Sequence, residues 1–200
     1  MMLKQSKTST PVLTERVQRV QPSATLTISA KAMALKAQGI DIISLSAGEP
    51  DFDTPNHIKE AGILAIQKGQ TKYTPVDGTP ELKDAIVNKF SQDNNLLYQP
   101  ENILVSSGAK QTCFNLFQAV LEHGKEAVII SPYWVSYPDM VLLANGSPVI
   151  LKTSFENNFQ FDAEDLDSVL TENTRLLMLN SPSNPTGVTC TKDQYQIIAE

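Results

Sequence analysis

Residues 106–110, Ser-Ser-Gly-Ala-Lys, place small side chains and one positive charge at the start of a predicted helix. Small residues at a helix start leave backbone N–H groups open, and the helix dipole favours an anion there. The hydroxyls of Ser106 and Ser107 and the charge of Lys110 would strengthen such a site. The segment does not have the Gly-Lys-Ser/Thr ending of a Walker A loop. It indicates either a phosphate site of another kind or a tight turn that binds nothing.

Two further loops, each after a predicted strand, contain side chains suited to a ring-shaped ligand. Residues 131–138 read Ser-Pro-Tyr-Trp-Val-Ser-Tyr-Pro and include Trp134, the only tryptophan, whose flat face suits stacking. Residues 180–187 read Asn-Ser-Pro-Ser-Asn-Pro-Thr-Gly. Asn184 precedes a proline, which restricts its backbone, allows a cis bond and lets the amide project rigidly. The alternatives are an aromatic packing cluster and an ordinary Asn-Pro turn.

A fourth loop, residues 46–55, is long and stiffened by prolines. Gly48 would let a ligand carboxylate approach its N–H closely. The loop also contains three carboxylates, those of Glu49, Asp51 and Asp53. Carboxylates in a proline-stiffened loop more often form turns and caps than metal sites. The sequence therefore predicts no metal site here.

Alternating strands and helices must position these loops. Apolar runs predict strands at residues 42–45, 103–106, 127–131, 148–152 and 175–180. Apolar spacing and end signals predict helices at residues 13–20, 23–38, 55–68, 110–121, 137–144, 162–170 and 192–200, with one more that begins at Thr79. This order predicts an α/β fold with a mostly parallel sheet flanked by helices. Ligands bind beyond the carboxyl ends of strands in such sheets, where these loops lie.

Composition argues against several kinds of partner. The net charge of -6 and the lack of a basic cluster argue against nucleic acid. The apolar runs are too short to span a membrane, and no secretory signal is recognisable. Cys113 and Cys190 are isolated, which favours free thiols in a reducing cytoplasm. His57 and His123 are expected at the surface, without a catalytic role.

Five segments in this order and spacing resemble the class I aminotransferases, which are fold type I enzymes dependent on pyridoxal 5'-phosphate. They read Ala-Gly-Glu-Pro-Asp-Phe, Lys-Tyr-Thr-Pro, Ser-Gly-Ala-Lys-Gln, Ser-Pro-Tyr-Trp-Val-Ser-Tyr-Pro and Asn-Ser-Pro-Ser-Asn-Pro-Thr-Gly. The resemblance runs from about Val17 to the last residue and is greatest to the bacterial aspartate aminotransferase branch. It implies the aspartate aminotransferase-like fold.

The resemblance implies pyridoxal 5'-phosphate as cofactor and assigns residues to it. Gly108, Ala109 and Lys110 would cradle its phosphate. Trp134 would stack on the pyridine ring, and Asn184 would hydrogen-bond the ring hydroxyl oxygen. Trp134 and Asn184 would also contact the substrate, and Asn184 would help to hold its carboxylate.

Substrate and subunit contacts are implied in the same way. Gly48 would give its backbone N–H to the substrate α-carboxylate. Tyr73 would reach the cofactor phosphate of a neighbouring subunit, which implies a homodimer with shared active sites. Residues 21–25 correspond to a flexible part of the family that lies over the site and influences side-chain selectivity.

No catalytic residue is expected in this chain. The family's Schiff-base lysine lies in a Ser-Lys segment followed shortly by Gly and Arg, whereas the only Ser-Lys pair here, at residues 6–7, is followed by Thr-Ser-Thr-Pro. The Asp-Glu pair that would supply the partner of the pyridinium nitrogen is absent, as is the C-terminal carboxylate-binding arginine. The resemblance implies an N-terminal arm and helix with the first strand in residues 1–45, as part of the small domain. Residues 46–200 would form the first part of the large cofactor-binding domain.

The function implied is transamination between an amino acid of the aspartate or glutamate type and a 2-oxo acid, through Schiff-base chemistry in the parent protein. The chain alone is expected to be inactive. One alternative is a fold type I lyase, because the loops are partly shared. Another is a non-catalytic aminotransferase-like binding domain. A regulator with a DNA-binding module is disfavoured, because the mostly polar residues before Ile42 cannot supply that module.

Overall fold

The structure is a computed structural model that describes residues 12–200. The Ser-Lys pair at residues 6–7 lies outside these residues. The described chain divides into two compact units. One comprises the described residues up to Leu26 together with Cys113–Glu200, and the other comprises Thr27–Thr112. The division into residues 1–45 and 46–200 stays a prediction.

The first unit contains a parallel sheet of three strands. They are β1 (Glu126–Ile130), β2 (Ser147–Leu151) and β3 (Thr174–Met178), in the spatial order β2-β1-β3. In the centre of the register, Val128 lies opposite Val149 on one side and Leu177 on the other. The structure confirms the predicted parallel sheet and α/β fold.

Eight α-helices occur in the described residues: α1 (Glu15–Gln18), α2 (Ala24–Ala37), α3 (Asn56–Gln67), α4 (Pro80–Asn94), α5 (Ala109–Val120), α6 (Ser136–Leu143), α7 (Ala163–Asp167) and α8 (Lys192–Ala199). Short 3-10 helices lie at Pro100–Asn102 and Phe155–Asn157. The predicted helices are confirmed in type and in approximate position. Helix α7 is shorter than predicted, since it ends at Asp167 rather than near Leu170.

The central strand β1 is buried on both faces. Successive side chains of a strand point in opposite directions, so its residues contribute to two different core clusters. Ala127 and Ile129 contribute to one core cluster, together with Phe117, Leu121, Tyr137, Met140, Val141 and Ala144 from helices and their ends. Val128 contributes to the other, together with Leu151, Phe161 and Leu166. Two packed faces are what a parallel sheet requires.

The second unit, Thr27–Thr112, is helical and irregular. Thr79 caps α4, since its side-chain oxygen accepts a hydrogen bond from the N–H of Leu82 at 3.4 Å, and Pro80 occupies the first helical position. Both features were predicted from the sequence, and they follow from the open N–H groups of a helix start.

The predicted strands at residues 42–45 and 103–106 were wrong. Within residues 12–200, neither segment pairs with a strand. Ile43 and Leu45 are 87% and 92% exposed, and Leu104 is exposed as well. Val105 donates one long-range backbone hydrogen bond, to the carbonyl of Asp77 at 3.0 Å, where a strand would form a ladder. An apolar run signals burial or contact but does not supply the neighbouring strand that a β ladder needs.

None of the helices in residues 12–200 combines the length and the apolar character needed to cross a membrane. Within the same residues, no three His, Cys, Asp or Glu side chains are grouped closely enough to hold a metal ion. Asp53, one of the three carboxylates of the 46–55 loop, instead lies 3.6 Å from Lys59 in an ion pair.

Candidate functional site

The loop after β1 holds Trp134 over the sheet unit's own core. Trp134 is half-buried and packs against the cluster that contains Tyr137 and Phe117. The rings of Trp134 and Tyr137 meet edge to face, with centroids 5.4 Å apart and planes at 90°. Part of the indole therefore packs on the core while part stays accessible. Packing and ligand stacking, weighed as alternatives from the sequence, are compatible for this side chain.

The start of this loop is fastened to the end of β2. Ser131 donates its N–H to the carbonyl of Leu151 at 2.9 Å, and Thr153 returns a hydrogen bond from its hydroxyl to the carbonyl of Ser131. The N–H of Thr153 also donates to the Ser131 hydroxyl at 3.4 Å. The loop thus leaves the sheet from a fixed point.

The loop after β3 is held by hydrogen bonds within itself. Asn180, just beyond the strand, accepts a hydrogen bond at its Oδ1 from the N–H of Asn184 at 3.0 Å. Ser183 donates to the carbonyl of Val188 at 2.8 Å and accepts from the N–H of Gly187 at 2.7 Å. Asn184 is exposed, and the bond to Pro185 is cis, the isomer that the sequence allowed. The Asn184 amide therefore projects from a constrained turn.

At the start of α5, Gly108 has a φ of +86°, which favours glycine, and open space lies where a side chain would be. The N–H of Ser107 donates to Oε1 of Gln111 at 2.5 Å, and the N–H of Gln111 donates to the carbonyl of Gly108 at 3.1 Å. The hydroxyl of Ser106 is buried and has no hydrogen-bond partner among residues 12–200. An exposed helix start beside an unused hydroxyl is suited to an anion.

These features agree with a family assignment. The family model described as aminotransferase class I and II matches residues 40–200, which is most of the chain. The chain belongs to this family. Class I aminotransferases depend on pyridoxal phosphate.

Individual relatives in this family are close in sequence and in structure. The aspartate/prephenate aminotransferase of Nitrosomonas europaea is 51% identical over 186 residues, which are 93% of this chain and 47% of that protein. The aspartate aminotransferase of Bacillus sp. is 49% identical over 189 residues, 94% of this chain and 48% of that protein. The solved structure of aspartate aminotransferase from Thermus thermophilus with maleate has a TM-score of 0.91 at 47% identity, and the match covers 95% of this chain and 50% of that one. The chain spans about half the length of the curated relatives it matches.

The residue types present fit the aminotransferase cofactor. Its phosphate needs N–H donors and a positive charge, and the Gly108 turn, the α5 start and Lys110 offer both. Its pyridine ring needs a flat apolar partner, which is the chemistry of the Trp134 indole, and its ring hydroxyl needs an amide such as that of Asn184. Ser106 adds a buried hydroxyl, without a partner in the described residues, of a type that can donate to a phosphate oxygen.

The structure places the remaining predicted residues in the unit Thr27–Thr112, as it does Gly108, Ala109 and Lys110. Gly48 is exposed and has open space around its Cα. Tyr73 is fully exposed. Gly48 and Tyr73 are thus accessible to a ligand or to another chain. Trp134 and Asn184 are brought to neighbouring strand ends in the sheet unit, where β1 and β3 pair.

A cleft opens at the carboxyl ends of β1 and β3, with residues 159–161 and 188–190 along its walls. It encloses about 40 Å³, room for only a few waters, since each needs about 10–15 Å³. Oε1 of Gln160, a lining residue, is buried and has no hydrogen-bond partner in the part of the chain that the structure describes, which suits a bound water. Burial raises the pKa of the Cys190 thiol in the same cleft, against a hydrogen bond with Ser181 that lowers it. The thiol is therefore neutral at physiological pH and not an activated nucleophile.

Two residues that matter to the site's geometry received no role from the sequence. Tyr137 supports Trp134, and Asn180 supports Asn184. Tyr137 follows Trp134 by three residues, a spacing that places side chains side by side once the chain turns helical. That spacing was the available signal for Tyr137. Asn180 had none, because a side-chain hydrogen bond across four loop residues depends on the turn's own shape.

Proposed function

We propose that this chain binds pyridoxal 5'-phosphate and that the whole protein transfers the amino group of an amino acid to a 2-oxo acid. The observation that carries the proposal is the position of Trp134 and Asn184 in the loops that follow two paired parallel strands of an aminotransferase-family fold. Ligands bind at this edge in open α/β sheets.

Each proposed cofactor contact has a physical reason. Gly108, Ala109 and Lys110 bind the phosphate, because the first N–H groups of α5 and one ammonium group face negative charge. Trp134 stacks on the ring, and its indole meets the ring of the core residue Tyr137 edge to face. Asn184 hydrogen-bonds the ring hydroxyl oxygen and the substrate carboxylate from a turn whose backbone is already constrained.

When bound, the cofactor supplies an electron-withdrawing ring that makes the substrate α-proton acidic. The chain's own residues bind and orient. Gly48 donates its N–H to the α-carboxylate. This N–H is unobstructed, because glycine has no side chain and open space surrounds it. We propose that none of this chain's lysines forms the covalent bond to the cofactor. Lys110 serves the phosphate, and the only Ser-Lys pair, at residues 6–7, is not followed by the Gly and Arg of the family's segment.

We propose an aspartate- or glutamate-type amino acid as the substrate. The names of the Nitrosomonas and Bacillus relatives support aspartate, and the first also includes prephenate, a 2-oxo acid. The protein is proposed to act as a homodimer with shared active sites, to which the fully exposed Tyr73 contributes from the neighbouring subunit. Residues 21–25 influence side-chain selectivity, and the cytoplasm is the proposed location.

Cofactor binding is tested with this chain and pyridoxine 5'-phosphate, which has no aldehyde and so cannot react with surface lysines. Trp134 is the only tryptophan, so quenching of its fluorescence reports binding at that residue. We expect saturable quenching, and at least about tenfold weaker binding of unphosphorylated pyridoxine, because the phosphate contributes charge-assisted hydrogen bonds. Equal affinity for the two compounds would contradict the proposed phosphate site.

The covalent and catalytic proposals need separate tests. After incubation of this chain with pyridoxal phosphate, borohydride reduction and peptide mapping, we expect no single lysine to be modified stoichiometrically. With the complete product of the gene, we expect turnover of aspartate with a 2-oxo acid. Elimination or decarboxylation without amino transfer would favour a lyase instead, and binding without turnover would favour a non-catalytic domain.

A further inference from the structure

We propose that Tyr137 is a positioning residue that fixes the ring plane of Trp134 for stacking. The stacking role of Trp134 rests on the proposed function, whereas the fixing of its ring plane can be measured without any ligand. The inference concerns the sheet unit alone, which contains both residues.

The contact between the two residues has two parts. The rings meet edge to face, at 5.4 Å between centroids and 90° between planes. The N–H of Tyr137 also donates to the carbonyl of Trp134 at 3.0 Å, which closes the turn that begins α6. The backbone bond sets the spacing of the two residues, and the ring contact sets the orientation of the indole.

Tyr137 is itself held firmly. It is 7% exposed and lies in the core cluster with Phe117, Met140 and Val141. Burial, and secondarily charge on Cys113, raises the pKa of its hydroxyl, so the side chain stays neutral. A buried ring packed from several sides has one available orientation. Trp134 is only half-buried, and the edge-to-face contact with the fixed Tyr137 ring orients its indole.

An indole that is already oriented loses less conformational freedom when a ligand ring stacks on it. Without the Tyr137 ring, Trp134 would lose one of the contacts that select its rotamer, and its half-exposed indole would be less tightly oriented. Part of the free energy of ring stacking would then be needed to order the indole, and the ligand would bind less tightly. Tyr137 therefore contributes to cofactor affinity without being in contact with the cofactor.

The test compares variants that keep, remove or replace the Tyr137 ring. Tyr137→Phe keeps the ring and is expected to preserve the near-ultraviolet circular dichroism and the fluorescence anisotropy of Trp134. Tyr137→Leu is expected to weaken the dichroism band and lower the anisotropy. It should also reduce affinity for pyridoxine 5'-phosphate by about 2- to 10-fold, the range for one lost edge-to-face contact. Tyr137→Met, which fills the space without a ring, should behave like Tyr137→Leu and serves if the latter does not fold.

Leu121→Ala is the control for simple loss of core packing. Leu121 belongs to the same core cluster, but it lies beside Gly146, before the start of β2, at the opposite edge of the sheet from Trp134. It should lower the free energy of unfolding and leave the Trp134 signals and the ligand affinity unchanged. The same Tyr→Leu change at Tyr98, which meets Phe90 edge to face, provides a second control.

The outcomes separate this inference from the proposed function. Unchanged Trp134 dichroism and anisotropy in folded Tyr137→Leu and Tyr137→Met would overturn the positioning role. So would altered signals with unaltered ligand affinity. If the wild-type chain does not bind pyridoxine 5'-phosphate, the proposed cofactor site fails, and the ring-plane measurement alone then decides whether Tyr137 orients Trp134.

Discussion

The side-chain oxygen of Asn180 accepts a hydrogen bond from the backbone N–H of Asn184 at 3.0 Å. Asn180 lies just after β3, which ends at Met178, so the bond joins the turn to the end of the sheet. Asn184 is exposed, and its amide would otherwise depend on the loop's own stiffness. The position of the proposed cofactor contact is thus coupled to the strand end.

Asn180→Ala should therefore loosen the turn more than it destabilises the fold. The cost in unfolding free energy should lie at the low end of about 0.5–1.5 kcal/mol, because water can satisfy the exposed N–H. Affinity for pyridoxine 5'-phosphate should fall several-fold, as measured by Trp134 quenching. Asn173→Ala is the matched control, since Oδ1 of Asn173 accepts from Lys125 at 3.4 Å at the start of the same strand. Equal losses of affinity in both variants would contradict the role of Asn180.

Gly78→Ala is predicted to destabilise the unit Thr27–Thr112. Gly78 has a φ of +110°, and a Cβ there would lie 2.6 Å from Cγ2 of Val105. Strained backbone and overpacking each cost about 1–3 kcal/mol, so urea unfolding should show a loss in that range or above. Gly62→Ala, inside exposed α3 with open space, should instead stabilise by up to about 1 kcal/mol. Val105→Ala should recover part of the loss in Gly78→Ala, and strict additivity would argue against the clash.

The contact between Gly78 and Val105 also explains what the sequence could not predict. Residues 103–106 have the composition of a strand, yet Val105 is held by the turn at Asp77 and Gly78, a long way back in the chain. Local patterns do not reveal such a partner. Helices were easier to predict from the sequence, because a cap such as Thr79 and the spacing of apolar residues depend only on residues a few positions apart.

The residues of the candidate site also fall into those that the local sequence predicts and those that depend on the three-dimensional structure. Residue types identified the loops with Gly108, Trp134 and Asn184, because phosphate, ring and amide chemistry limit which side chains are useful. Tyr137 and Asn180 act by orienting another residue. Orientation depends on three-dimensional packing and on turn shape, so composition carries little of that information.

Asp139→Asn is predicted to change the pH dependence of stability. Burial raises the pKa of the Asp139 carboxyl in the folded state. The folded chain therefore binds a proton more tightly than the unfolded chain, and the residue's contribution to stability is lost as pH rises from about 4 through the raised pKa. The asparagine variant lacks this loss, so its stability relative to wild type should grow between about pH 4 and pH 7 in urea unfolding.

Asp77→Asn is predicted to change the pH dependence of stability in the opposite direction. A hydrogen bond from Lys83 is the main cause that lowers the pKa of the Asp77 carboxyl. Its contribution is present above the ordinary carboxyl pKa of about 4 and is lost as pH falls through the lowered value. The variant should therefore lose stability relative to wild type as pH rises. If both variants shift in the same direction, burial and pairing are not the causes of these pH effects.

Lys110→Gln should weaken phosphate recognition without disturbing ring recognition. The ammonium group adds charge to the N–H groups at the start of α5, and a charged hydrogen bond to phosphate is worth about 1.5–3 kcal/mol. We expect affinity for pyridoxine 5'-phosphate to fall roughly tenfold or more and to depend less on salt, because one screened charge pair is gone. Affinity for unphosphorylated pyridoxine should not change. Lys36→Gln, at the exposed end of α2, controls for net charge and should have neither effect. A parallel drop for both compounds in Lys110→Gln would mean that the lysine supports the fold of the loop and does not bind the phosphate.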